Sequence, residues 1–115
     1  MITDNGNSVK SDADPTAHAE VNVIRKLITR LKTNFLEPGY TLYTTCEPCA
    51  MCAATCYWAG ISEIVYGVDE NDFEGNFNPN QINVRCEEVI AKSPISITIK
   101  SGILKEKCEQ LFNEQ

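Results

Sequence analysis

Residues 40–68 read YTLYTTCEPCAMCAATCYWAGISEIVYGV, and this stretch decides the architecture. Tyr40–Thr45 is β-branched and aromatic, a composition that fits the pleated surface of a strand. Pro48 opens a helix, because the N–H it lacks is one that a first turn leaves unbonded anyway. Gly60 closes that helix by supplying the left-handed C-cap that a Cβ resists. Ile61–Val68 is a second strand. Strand, helix and strand in succession form a βαβ unit, which requires parallel pairing and a right-handed crossover.

Upstream, Asp14-Pro15 offers a capping carboxylate and a first-turn proline, so a helix is expected to open there. Ile24, Leu27, Ile28 and Leu31 follow at i, i+3, i+4 and i+7, the apolar face of an amphipathic helix. Arg25, Lys26, Arg30 and Lys32 occupy its other faces toward the C-terminal end, where the helix dipole favours cations. Pro38-Gly39 stops the segment. Residues 1–13 read as loop or a short edge strand. Downstream, residues 69–80 carry turn formers and acids and read as loop. Residues 82–92 read as a short helix, Ile95–Lys100 alternates as a third strand, and Leu104–Asn113 reads as a terminal helix. The expected fold is α/β with a mostly parallel sheet, in a single domain spanning residues 1–115.

The chain has 115 residues, of which 43% are hydrophobic, enough for one core and against wholesale disorder. No run approaches the ~20 apolar residues of a membrane helix. The N-terminal MITDNGNSVK has no apolar run to serve as a secretory signal, so a cytoplasmic protein is expected. The net charge is −6. Such a surface repels phosphate on average, which argues against nucleic-acid partners. Six cysteines are present, and four of them (Cys46, Cys49, Cys52, Cys56) crowd into residues 46–56. In a reducing compartment that cluster reads as metal ligands rather than a disulfide framework.

Cys49 and Cys52 stand at i and i+3 at the start of the second helix, where free backbone N–H groups and the positive dipole end favour thiolates. With the neutral imidazole of His18, the chain's one histidine, they would form a zinc site of net charge about zero. Three protein ligands leave the fourth tetrahedral position for water, the pattern of a catalytic zinc. Glu20 follows His18 by two residues. In a regular helix that spacing sends the two side chains to nearly opposite faces. They converge only if the helix begins near His18 and the preceding residues are not helical. By composition alone a lone histidine is more often structural, and a C-x-x-C also serves redox motifs and zinc knuckles. Cys46 adds a second overlapping pair, C-x-x-C-x-x-C.

H-x-E followed by P-C-x-x-C is the signature of zinc deaminases. DPTAHAEV (residues 14–21), LYTTCEPCAMC (42–52) and ISEIVYG (61–67) resemble the cytidine-deaminase-like superfamily. They are most similar to its branch of bacterial guanine deaminases and tRNA adenosine deaminases. The resemblance runs from about Asn7 to the end of the chain. It implies a three-layer α/β fold and zinc held by His18, Cys49 and Cys52. It also implies Glu20 as the proton carrier between water, ring nitrogen and leaving ammonia. Asn7, a turn residue on its own, would hydrogen-bond the base, and Trp58, on its own a helix anchor, would line the pocket. In this register Cys46 is a packing residue, and Cys56 a buried one. Glu47 would cap the second helix or line the pocket edge. Family members carry a helix and two strands before the position of Asn7, so here the first helix and first strands are missing or reduced. The loss of one strand would expose a sheet edge. A zinc-binding remnant without catalysis, or a module completed by a partner strand, is therefore the alternative of another class. The resemblance implies a homodimer.

The acids Asp69, Glu70, Asp72 and Glu74 oppose a phosphate backbone. Together with YWA at residues 57–59 they favour a small-molecule nucleobase, guanine or a related aminopurine first. Asn78 falls near where such guanine deaminases carry an aspartate, and the tail ITIKSGILKEKCEQLF looks more like the tRNA-deaminase ending. Adenosine in tRNA or as the nucleoside is the alternative substrate.

Overall fold

The βαβ unit forms as its sequence requires. The computed structural model describes residues 3–68 and 82–104. Along the chain it contains α1 (Ala19–Leu31), β1 (Thr41–Cys46), α2 (Ala50–Ala59), β2 (Glu63–Val68), α3 (Cys86–Ala91) and β3 (Thr98–Lys100). The strands lie in the order β1-β2-β3. Both pairings are parallel, with Leu42 beside Ile64, Cys46 beside Val68, and Ile64 beside Ile99. β2 is central and buried from Ile64 to Val68, which explains its nearly unbroken apolar run.

One apolar cluster joins Ile24 and Leu27 of α1, Ala53, Cys56 and Ala59 of α2, Cys86 and Ile90 of α3, and Leu42, Ile64 and Tyr66 of the sheet. Alternate residues of a strand share a face, so the described helices cover the same side of the sheet. Each buried Leu, Ile or Val there contributes roughly 1.5–3 kcal/mol. The buried side of α2 is small (Ala53, Cys56, Ala59), which lets that helix approach the strands closely. The parallel sheet and α/β class match the expectation. The acidic loop at 69–80 and the helix expected over Leu104–Asn113 lie outside the described residues, apart from Leu104.

Three local expectations are corrected. The first helix begins at Ala19, not at Asp14-Pro15. The Asp14 carboxylate instead accepts the Thr16 N–H (2.9 Å) and hydroxyl (2.7 Å), a local turn that competes with helix. The Ala17 carbonyl accepts the Ser8 N–H at 2.9 Å, so this stretch is satisfied without helical bonds. Accordingly, the buried stripe of α1 is Val21, Ile24 and Leu27, while Leu31 is exposed. β3 is three residues long, shorter than Ile95–Lys100. Gly60 does cap α2, at φ 84°.

Candidate metal centre

His18 and Cys49 are the N-caps of α1 and α2, both in extended backbone conformation (φ −66°, ψ 154° and φ −68°, ψ 173°). Two helix starts thus meet, and Cys52 projects from the first turn of α2. The Cys49 and Cys52 Sγ atoms are 3.5 Å apart, and they lie 3.7 and 3.6 Å from His18 Nδ1. A tetrahedral zinc with its usual bond lengths spans edges of ~3.8 Å between two sulfurs and ~3.6 Å between sulfur and nitrogen. The triangle therefore fits zinc, both in donor chemistry and in size. Among the described residues, these three form the group of His, Cys, Asp or Glu side chains that could hold a metal ion.

The extended N-cap also meets the geometric demand on Glu20. Helical turning begins only after His18, which puts Glu20 in the first turn of α1, where its charge helps push the Cys52 thiol up. The two sulfurs are joined by a hydrogen bond. The hydrogen bond between the two sulfurs, with the N–H groups of the helix start and His18, holds the Cys49 thiol below its ordinary range. Cys52 is pushed up, first by its hydrogen bond with Cys49, then by burial and by Glu20.

Asn7 is exposed and lines a surface depression together with His18, Ser8 and Lys10. Its Oδ1 accepts the Val9 N–H at 3.0 Å. The segment is fastened to α1 by Asn22, whose Nδ2 donates to the Gly6 carbonyl at 2.8 Å and to the Ser8 hydroxyl at 2.9 Å. Asn22 was not singled out from the sequence, since a polar residue on a helix carries no local sign of a contact sixteen residues away. Glu20 opens on a groove of about 340 Å³ between α1, β1 and Thr3–Asn5.

Trp58 is not brought to this centre. It lies nine residues after Cys49, about 13 Å along a helix axis. It is 73% exposed and lines a groove with Val21, Arg25 and Ile28 of α1. Glu47 departs from both of its expected roles. Its carboxylate reaches the start of α3 rather than α2, accepting the Cys86 N–H at 3.0 Å and an Arg85 guanidinium N–H at 3.1 Å. Cys46 points its thiol at the Glu47 carbonyl, 3.5 Å away.

Two helix-capping donors and a third from the first turn of α2 define a candidate metal centre of the size zinc requires. Residues 1–68 match the cytidine and deoxycytidylate deaminase zinc-binding region, and the chain belongs to that family. It is 38% identical over 93 residues to the guanine deaminase of Bacillus subtilis (strain 168), which covers 76% of this chain and 59% of that protein. It is 43% identical over 70 residues to a tRNA-specific adenosine deaminase of Agrobacterium fabrum, which covers 61% and 45%. The chain thus spans about half the length of these curated relatives. Among solved structures, one from studies of A-to-I editing by tRNA:A34 deaminases superposes with a TM-score of 0.75 at 30% identity, over 92% of this chain and 72% of that one. The guanine deaminase from Nitrosomonas europaea superposes with a TM-score of 0.80 at 25% identity, over 96% and 62%. Among the described residues no helix is long and apolar enough to cross a membrane.

Proposed function

We propose that this chain is a zinc-dependent hydrolytic deaminase of a free purine base, guanine or a related aminopurine. The observation that carries the reading is the His18–Cys49–Cys52 triangle, with Glu20 in the first turn of the helix that His18 caps. Zinc held by those three residues supplies Lewis-acid activation of water near neutral pH. The rest falls to the chain's own groups. The Glu20 carboxylate takes a proton from the attacking water, gives it to the ring nitrogen beside the amine-bearing carbon, and then delivers one to the departing amine. The C–N bond breaks, a ring carbonyl forms and ammonia leaves, so one water is consumed per ammonia. Asn7 spends its Oδ1 on the Val9 N–H, and its amide NH2 is the group it presents to an acceptor on the base. Asn22 keeps that segment in place.

Charge supports a free base. Lys10 is the one cation lining the depression shared by Asn7 and His18, among the described residues, and the chain carries −6 overall. A nucleic-acid strand needs several cations to replace its counterions. The second reading, deamination of adenosine in tRNA, is favoured by the 43% identity to the Agrobacterium fabrum enzyme. A panel of guanine, 2,6-diaminopurine, adenine, cytosine and an anticodon stem-loop separates the two. The proposal expects product from guanine and none from the stem-loop. Inosine in the stem-loop with all free bases untouched would transfer the assignment to tRNA. A homodimer belongs to the same proposal, with exposed Trp58 as an apolar contact.

A further inference from the structure

Among the described residues, one charged side chain is buried: Glu47, 3% exposed. It stands two residues before Cys49, in the turn from β1 to α2. Its backbone and its carboxylate are both fastened. Its N–H donates to the Val68 carbonyl at 2.8 Å, at the end of β2. Its Oε2 accepts the Cys86 N–H at 3.0 Å, and its Oε1 accepts from Arg85 at 3.1 Å. Arg85 is itself fixed, as the N-cap of α3 and by a second guanidinium nitrogen 3.0 Å from Glu87. Pro48, the next residue, is fully buried.

For stability alone this ion pair is a poor choice, because apolar side chains of similar volume usually serve as well or better. Its value lies in what it holds still. Proline fixes its own φ and Pro48 is packed in the core, so less freedom remains between Glu47 and Cys49 to absorb a displacement. We propose that Arg85, acting through Glu47, is a positioning residue for the Cys49 ligand, and that this pair sets the affinity and geometry of the metal site. The inference rests on the metal reading above but on no particular substrate.

The test uses the full chain, with zinc affinity measured against a competing chromophoric chelator and ligand geometry read from the visible spectrum of the cobalt-substituted protein. Supporting groups around metal ligands typically matter by 10–100-fold in affinity. Arg85→Met should weaken zinc by about that factor and shift the cobalt bands, and Arg85→Lys should recover part of it. The double variant Glu47→Met with Arg85→Met removes both charges. It should keep the weakened zinc affinity even when its metal-free form melts at or above the wild-type temperature. If Arg85→Met does not fold, Glu47→Gln, close in volume, should release zinc to the chelator faster than wild type. Wild-type affinity and an unchanged cobalt spectrum in the single variants would overturn the inference, as would full recovery in the double variant. A wild type that binds no zinc would overturn the metal reading and this inference with it, whereas failure of the variants alone leaves that reading standing.

Discussion

Replacing Cys49 or Cys52 by serine should abolish stoichiometric zinc, while Cys46→Ser should retain it. The reason is geometric. The Cys49 and Cys52 sulfurs stand 3.5 Å apart and 3.7 and 3.6 Å from His18 Nδ1, close to the edges of a zinc tetrahedron. The Cys46 thiol is directed to the Glu47 carbonyl instead. A serine hydroxyl stays protonated where a thiol ionises, so each ligand variant is left with two competent donors of three. The consequence for stability can be estimated. At free zinc a thousandfold above its dissociation constant, binding to the folded state adds ~4 kcal/mol. For a domain of this size each kcal/mol moves the melting point by about 4 °C, so zinc should raise it by roughly 16 °C. Metal analysis after dialysis, with thermal melts with and without zinc, reads both quantities. Wild type and Cys46→Ser should bind about one equivalent and show the full shift, and the other two variants should show little of either. Equal losses in all three, or zinc lost from Cys46→Ser and kept by Cys52→Ser, would mean that the ligand register is wrong.

Glu20→Gln keeps the shape of the side chain and removes its proton carrier. Zinc should remain bound while turnover drops by ~10²–10⁴, as for a lost general acid–base group, and near-normal turnover would take Glu20 out of the mechanism. Gly60→Ala forces a Cβ onto a residue at φ +84°, 3.0 Å from the Leu36 carbonyl. The left-handed conformation alone should cost ~1–2 kcal/mol, measurable by urea denaturation, and an unchanged midpoint would contradict it. Burial raises the thiols of Cys56 and Cys86, the latter to about 12 from an ordinary 9.0, so the folded state holds their protons more tightly than the unfolded chain does. Their contribution to stability is therefore complete below pH 9.0 and is lost as the pH rises toward 12. Unfolding free energy that stayed flat across that range would show that these thiols titrate normally.

The βαβ core was legible because its signals are local: a β-branched run, Pro48, Gly60 and a second apolar run. The metal triangle was legible for a related reason. Cys49 and Cys52 are fixed relative to each other by helix geometry, and the convergence of Glu20 demanded a helix start that the fold supplies at His18. The misplaced start of α1 shows the limit of this reading. Asp14-Pro15 has the chemistry of a cap, but its carboxylate bonds Thr16 in a tight turn, and Ser8 competes for the backbone around it. Glu47 and Asn22 were out of reach in principle. Their partners lie 38 or 39 and 14 or 16 residues away, and only the finished fold brings them together. Trp58 was assigned by resemblance, and it stands exposed on α2 in a groove against α1.

The central claim is that the metal triangle and Glu20 together perform hydrolytic deamination. Ammonia release from free guanine by the zinc-loaded chain, before and after a strong chelator and again after zinc is restored, tests it most directly. The account predicts steady release that chelation stops and added zinc recovers. Stoichiometric zinc with no ammonia from any base or stem-loop would contradict it and leave a metal-binding domain without catalysis.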